Sequence, residues 1–444
     1  MKKAIQLEEI LKNFNPTPLK GDELDENNGI YVDTIKARTN DVFNSPLRKL
    51  FNACTCNKES EESANFIQVL LGHRGCGKST EINKLEQKFL EKGCIVRKIN
   101  CQVETNLSKI EVFDIIYLIL QSLIDITQEH NIEGIDEDNE YIIKALAYFK
   151  DTEIYTKVTE EDSDSFEAGA GFGFEKIINV FAKGKTAIQY STETIGIIKE
   201  RIRKSNEDWF NCIDFLCEEI FSQTGKRPII IFENFDKIIE IPKVLDIFKD
   251  GYISSEKIRT YCIFTFPIAL TYDPRMGQIQ HYFERFTFPM IEVKKQSGEM
   301  NQIGVNAIKE IIGKRVDLNL FEDGSLDLLI EKTGGSLRDL FSCIRFAAER
   351  AEYRAEKQRD VKKVGKEDIE KALMSLQSDI TRYIETGDYP ALIKIHKDKT
   401  KAEIENRDKL VEYLGAHVVL EYNGKRWHDC HPLIWDFIEE NTKK

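Results

Sequence analysis

The chain lacks most of the features that would place it outside an ordinary soluble interior. No stretch approaches the ~18 uninterrupted apolar residues of a membrane-spanning helix, and the most apolar helix-like run, Val112 to Ile126, is broken by Asp114, Gln121 and Asp125. The opening Met-Lys-Lys-Ala-Ile-Gln-Leu-Glu-Glu has no apolar core of the signal-peptide kind. Its ten cysteines follow no spacing framework, which fits a reducing cytoplasm better than secretion. Two local clusters hold metal-ligating types, Cys54-Thr55-Cys56 and His428-Asp429-Cys430-His431, but neither has a second pair at zinc-finger distance. Buried cysteines and a polar hairpin are the plainer reading. Positive charge is also short: the net of −13 argues against a whole surface built to grip nucleic acid and favours protein partners. Nuclease, protease and deaminase constellations are missing as well.

What is present begins with Gly72-His73-Arg74-Gly75-Cys76-Gly77-Lys78-Ser79-Thr80. It follows the apolar run Phe66–Leu71 and leads into the helix-like Glu81-Ile82-Asn83-Lys84-Leu85-Glu86. Strand, glycine-rich loop and helix are the context in which GxxxxGK[ST] is a phosphate cradle. The glycines let backbone N–H groups turn onto phosphate oxygens, and the helix N-terminus adds partial positive charge. Lys78 would reach the β- and γ-phosphates, and Ser79 would ligate Mg²⁺. The strand-like Arg227–Glu233 ends in Glu233-Asn234-Phe235-Asp236. An acid at such a strand tip can hold the Mg²⁺ shell, which makes Glu233 a metal candidate beside Ser79.

Short β-rich apolar runs at Phe66–Leu71, Cys94–Asn100, Arg227–Glu233 and Tyr261–Phe266, separated by helical spacing such as Ile110 to Gln128, predict an α/β fold with a parallel sheet covered on both faces. A fifth strand is expected over Pro289–Val293. The expected division is an N-terminal segment over residues 1–64, a nucleotide-binding core over 65–293 with an insertion at 134–207, a helical lid over 294–386, and a winged-helix-like module over 387–444. In the insertion, the acidic Glu160-Glu161-Asp162-Ser163-Asp164 and the Gly/Phe alternation of Ala168–Phe174 precede an amphipathic Ile177–Phe181. That reads as a mobile hairpin or loop, or as a membrane-active or partner-binding element. The basic run Lys199–Lys204 reads as a solvated helix face. The tail holds two short strands about Asn423-Gly424, a strong hairpin signal, with Lys425 and Arg426 in its turn.

GHRGCGKSTEI, IIIFENFDK, CIFTFPIAL and GGSLRDL occur in that order. Together they resemble the AAA+ and STAND-type P-loop ATPases, particularly bacterial relatives of the origin-recognition/initiator ATPases with a helical lid and a winged helix. The resemblance spans roughly residues 30–440. It implies ATP and Mg²⁺ as cofactors, Thr265 as a polar sensor of the γ-phosphate, and Arg338 as the lid arginine reaching the phosphates, where its guanidinium fork suits two oxygens at once. Arg285 occupies the place of an arginine finger acting on a neighbouring subunit, with Arg275 competing for that role. Tyr31 and Arg38 are candidates for the adenine pocket. One departure stands out: family members that turn over fast often carry two acids at the strand end, where this chain has Glu233-Asn234. Asn orients water but takes no proton, so general-base help falls to Glu233 or Asp236. Three readings follow: a nucleotide-switched ATPase controlling a homo-oligomer or an effector protein, with phage defence as a family analogy; a DNA-associated initiator or loader; and a nucleotide-gated scaffold with little hydrolysis.

Overall fold

Five short runs rich in Ile, Val and Phe form one parallel sheet. They are β1 (Ile67–Gly72), β2 (Val96–Asn100), β3 (Ile229–Glu233), β4 (Tyr261–Pro267) and β5 (Glu284–Phe288), in the order β2-β3-β4-β1-β5. The computed structural model describes residues 2–39, 45–55, 65–135, 139–150, 152–154, 174–190, 192–204, 206–238, 240–358, 361–399, 407–422 and 427–442. Every residue of β1 and β3 is buried, as near-continuous apolar strands require when helices cover both faces. This is the expected α/β architecture. The fifth strand lies earlier than expected, over Glu284–Phe288. Pro289 has no N–H to donate, so pairing with β1 stops at the Gly72–Phe288 register and the chain turns away.

On one face, helix Lys78–Glu91 and helix Pro46–Thr55 pack through Leu50, Ile82, Leu85 and Phe89. On the other, helix Val112–Glu129 is buried almost all round because further helices enclose it. These include Phe174–Tyr190 and Glu207–Thr224. Trp209 sits among Tyr117, Phe149 and Phe181, and the Tyr117 hydroxyl donates to the Phe181 carbonyl at 2.6 Å. Where it is described, the insertion forms helices at Glu140–Ala147, Phe174–Tyr190 and Glu193–Lys204. Ile177, Val180 and Phe181 are core residues, which removes the membrane-active reading of that stretch. The acidic patch 160–164 and the Gly/Phe alternation through Gly173 lie outside the described residues. Within the basic run, Lys199 pairs with Asp114 at 2.7 Å and Arg203 with Glu111 at 2.5 Å, while Arg201 donates to the Tyr148 and Lys150 carbonyls. Lys199 is thus tied to a buried carboxylate, while Arg203 and Lys204 stay on the exposed, solvated face that the sequence suggests.

Four helices, Gln302–Gly313, Ser325–Lys332, Leu337–Lys357 and Lys366–Ile380, form a second core. The N-terminal helix Leu7–Asn13 joins it through Leu7 and Ile10, and Phe14 meets Phe341 edge-on at 5.3 Å. The C-terminal part consists of helices Tyr389–Asp398 and Arg407–Gly415, the antiparallel pair β6 (Val419–Tyr422) and β7 (Trp427–Cys430), and helix Pro432–Thr442. Residues 423–426, where the hairpin turn is expected, lie outside the described residues, as does Cys56 of the N-terminal segment. His428 and His431 are buried, and no group of three His, Cys, Asp or Glu is disposed to hold a metal among the described residues. Among them, too, no helix is long and apolar enough to cross a membrane.

Candidate functional site

The loop after β1 is shaped by its glycines. Gly75 (φ +78°) and Gly77 (φ +103°) adopt the left-handed region that side chains disfavour. Helix Lys78–Glu91 starts directly after Gly77, so its first-turn N–H groups and dipole face the loop. The Lys78 ammonium is almost fully buried. It donates to the Gly72 and His73 carbonyls at 2.9 and 2.8 Å and pairs with Asp236 Oδ2 at 2.9 Å. Asp236 is brought there by the end of β3: Asn234 takes φ +64°, the chain makes a short turn over Phe235–Lys237, and Phe235 anchors it by stacking on Phe266. Arg74 reinforces the turn by donating to the Asp236 carbonyl at 3.0 and 3.2 Å. Asn234 Nδ2 donates to Asn100 Oδ1, at the tip of β2, at 2.9 Å.

These groups line a cavity of about 330 Å³. The opposite walls come from the N-terminal segment, Pro16–Lys20 and Ile30–Val32, and from Ile311, Arg315, Leu337, Arg338 and Phe341 of the second core. The two cores meet closely here. The Arg338 N–H donates to the Gly75 carbonyl at 3.3 Å, and a Cβ on Gly75 would lie 2.6 Å from Arg338 Cβ. Ser336 caps helix Leu337–Lys357 by accepting from the Asp339 N–H. Arg338 therefore leaves the first turn of a fixed helix next to the loop.

One carboxyl in the wall is electrostatically unusual. Glu81 is buried one turn into the loop helix, and burial lifts its pKa to about 7 against the pull of Arg38 and of the Tyr31 hydroxyl, which donates to it at 3.0 Å. Arg38, itself pushed down by burial, donates to the Cys76 and Pro289 carbonyls at 2.6 Å and to Thr34 at 2.7 Å, with its guanidinium 4.2 Å from the Phe288 ring centroid. It acts as a strut under the loop. Because the folded pKa of Glu81 exceeds its ordinary value of 4.5, this residue's contribution to stability is complete below about 4.5 and declines as pH rises toward 7. Glu81→Gln should therefore gain up to about 3 kcal/mol over the wild type between pH 4.5 and 7 and nothing below. Denaturant midpoints across that range measure it.

Of the residues expected from sequence, Arg74, Gly75, Gly77, Lys78, Ser79, Thr80, Glu233, Asn234, Asp236 and Arg338 share this cavity. Tyr31 and Arg38 also line it. The remainder are placed elsewhere. Gly72 and Cys76 are packed behind the loop, where a Cβ on Gly72 would lie 2.8 Å from the Phe288 carbonyl. The His73 ring points toward β6. Thr265 is buried on β4, its hydroxyl 3.5 Å from the Phe232 carbonyl, and does not line the cavity. Arg285 is exposed on the edge strand β5, within the strand rather than before it, and donates to Gln280 at 3.0 Å. Arg275 is held bidentate by Asp273. Sequence reasoning missed Asn100, Arg315 and the Pro16–Lys20 wall. An Asn closing an apolar strand was the available signal for Asn100; nothing local marks the others.

No family model and no curated protein matches this sequence. Among solved structures it is similar to the Aeropyrum pernix ORC2 protein in ADPNP–ADP complexes, with 11% identity and a TM-score of 0.41 over 96% of this chain and 99% of that one. A Walker-type ATPase of Pyrococcus abyssi gives 13% identity and a TM-score of 0.41 over the same shares. Cdc6p of Pyrobaculum aerophilum gives 12% and 0.33 over 89% and 93%.

Proposed function

We propose that the chain is an AAA+/STAND-like ATPase that binds ATP–Mg²⁺ between its sheet and its helical lid and uses it as a switch of conformation and assembly. The observation that carries this reading is the meeting of the Lys78–Asp236 pair, two left-handed glycines and Arg338 around one cavity. The oxygen donors Ser79 and Glu233 on its wall suit a hard divalent cation, which takes one or two carboxylates plus phosphates. Bound there, Mg²⁺ would neutralise charge developing on the phosphates. Lys78 and the loop N–H groups hold the phosphates, Arg338 closes the lid on them, and Asn234, steadied by Asn100, orients water. General-base help falls to Glu233 or Asp236: Asp236 is released from its ion pair as Lys78 turns to the phosphates, and Glu233 would act only through an oxygen not on the cation. With no second acid at the strand end, hydrolysis is slow, and a scaffold with little turnover is the neighbouring reading.

Nucleotide shifts the closed arrangement only by binding it better than the open one. In the homo-oligomer this reading carries, the exposed Arg285 acts on the neighbouring subunit. An effector protein, cytoplasmic location and a part in phage defence follow from family analogy. A DNA-associated role draws less support, since the net charge is −13 and the basic helix leaves only Arg203 and Lys204 on its exposed face, each beside a carboxylate.

Phosphate release and size-exclusion mass with ATP–Mg²⁺, for wild type beside Arg285→Ala, test the proposal. Assembly with turnover in the wild type, and turnover reduced by about 10³-fold in the variant with binding retained, is the expected result. Absence of any nucleotide-dependent change in mass, affinity or phosphate release would overturn it. Salt-sensitive duplex binding enhanced by ATP would move the assignment to an initiator-like protein.

A further inference from the structure

A buried seam ties the phosphate loop to the C-terminal hairpin through two consecutive residues of β6. The Glu421 backbone N–H donates to His73 Nε2 at 2.8 Å, and the Tyr422 hydroxyl donates to the Gly334 carbonyl at 2.7 Å. His73 belongs to the loop, and its own carbonyl accepts from Lys78. Gly334 opens the turn that delivers Arg338 to Gly75. Strand β6 thus grips both edges along which the cavity closes, without lining the cavity itself. The seam is tightly packed. Leu420, Tyr422 and Trp427 share a core with Cys76 and Met290, Tyr422 stacks on Trp427 at 4.5 Å, and a Cβ on Gly334 would come within 3.0 Å of Leu420.

We propose that His73 is a positioning residue that clasps the phosphate loop to the C-terminal hairpin, so that release of the hairpin loosens the lid turn and the bound nucleotide. This rests on the nucleotide-switch reading above. An Nε2 that accepts must carry a lone pair, so the clasped ring is neutral with its proton on Nδ1. Among the described residues Nδ1 has no hydrogen-bond partner. Protonation would set N–H against N–H and open the clasp. The groups facing this ring are Lys78 from the loop helix, His417 just before β6 (rings edge-on at 5.7 Å) and His428 from β7. Behind His417 lie His431 and the lid residues Arg338 and Asp339, with Asp339 3.8 Å from His431. The Glu421 carboxylate is taken up by Tyr272 at 2.7 Å and lies 3.5 Å from His428. Burial first, and then His417 and Lys78, hold His73 well below its ordinary 6.5. The clasp is therefore at full strength above about pH 6.5 and weakens as pH falls, because the released loop takes up the proton first.

The full chain carrying His73→Ala or His73→Gln tests this with two readouts. One is hydrogen exchange at the Glu421 amide without nucleotide; the other is the dissociation rate of a fluorescent ATP analogue with Mg²⁺. In His73→Ala the amide should lose protection and dissociation should quicken about tenfold, equivalent to ~1.4 kcal/mol. The Gln carboxamide oxygen accepts in the same way and should restore both. The wild type should match His73→Gln at pH 7.5 and move toward His73→Ala below 6.5. His73→Gln should show a pH slope shallower by one proton, since His417 and His431 still titrate. Tyr422→Phe, which deletes only the hydroxyl on Gly334, should quicken dissociation in the same direction. Unchanged exchange and dissociation in His73→Ala, or failure of Gln to restore them, would overturn the clasp. If the wild type binds no nucleotide, the switch reading fails while exchange at Glu421 still decides the clasp.

Discussion

Lys78→Ala should lower nucleotide affinity by at least about 100-fold, ~2.7 kcal/mol, in a calorimetric titration with ATP–Mg²⁺. Two losses combine. The ammonium that would meet the phosphates is gone, and its charge-assisted hydrogen bonds are the strong kind. Asp236, ion-paired to Lys78 at 2.9 Å with its side chain only 13% exposed, is left as a buried carboxylate facing incoming phosphate charge, and unpaired buried charges are strongly destabilising. The second loss separates from the first: Lys78→Ala with Asp236→Asn should regain much of the lost folding stability while binding stays weak. Wild-type affinity in Lys78→Ala would mean that the cavity is not a triphosphate site.

Gly335→Ala should destabilise the lid by about 3 kcal/mol or more, seen as an earlier thermal transition together with weaker nucleotide binding. Gly335 has φ +87°, and an added Cβ would lie 2.0 Å from the Ile291 carbonyl oxygen and 3.0 Å from its carbon. That neighbour is backbone in the linker between sheet and lid, so no side chain can swing away. Arg338 lies three residues on, and a turn forced off Ile291 carries it away from Gly75. Gly387, where a Cβ meets nothing within 4 Å, is the matched control, and Gly387→Ala should stay within about 0.5 kcal/mol of wild type. An unaltered transition in Gly335→Ala would show that the linker yields.

How much of the site could be read from the chain depended on how local each feature is. The glycines of the loop, Lys78 and Ser79 sit within nine residues, and their chemistry is a property of that short backbone. Glu233 was legible because a strand tip beside such a loop is a known place for an acid. The strand Pro289–Val293 was misplaced because its apolar residues serve the lid core and the linker, and periodicity does not tell a strand from a buried extended segment. The amphipathic spacing of Ile177–Phe181 is visible in the sequence, but whether its apolar face meets a membrane, a partner or the chain's own core depends on which helices pack against it, and here that is the core. Arg38 is legible as a cation near the loop, but the three acceptors that hold it include the Cys76 and Pro289 carbonyls, which are far off along the chain and cannot be read from sequence.

The sequence by itself determined the α/β class, the parallel strands and the glycine-rich loop between strand and helix, since each follows from side-chain spacing or from glycine's access to positive φ over a few residues. Only the tertiary structure decided that Asp236 pairs with Lys78, that Arg338 rests on Gly75, that Thr265 and Arg285 stand away from the cavity, and that the His73 ring turns from it to meet Glu421. The last two residues are 348 positions apart. Such pairings are selected by burial: a polar group taken out of water must find a partner in whichever element packs against it. Which element that is depends on how whole cores meet, and spacing along the chain does not carry that information.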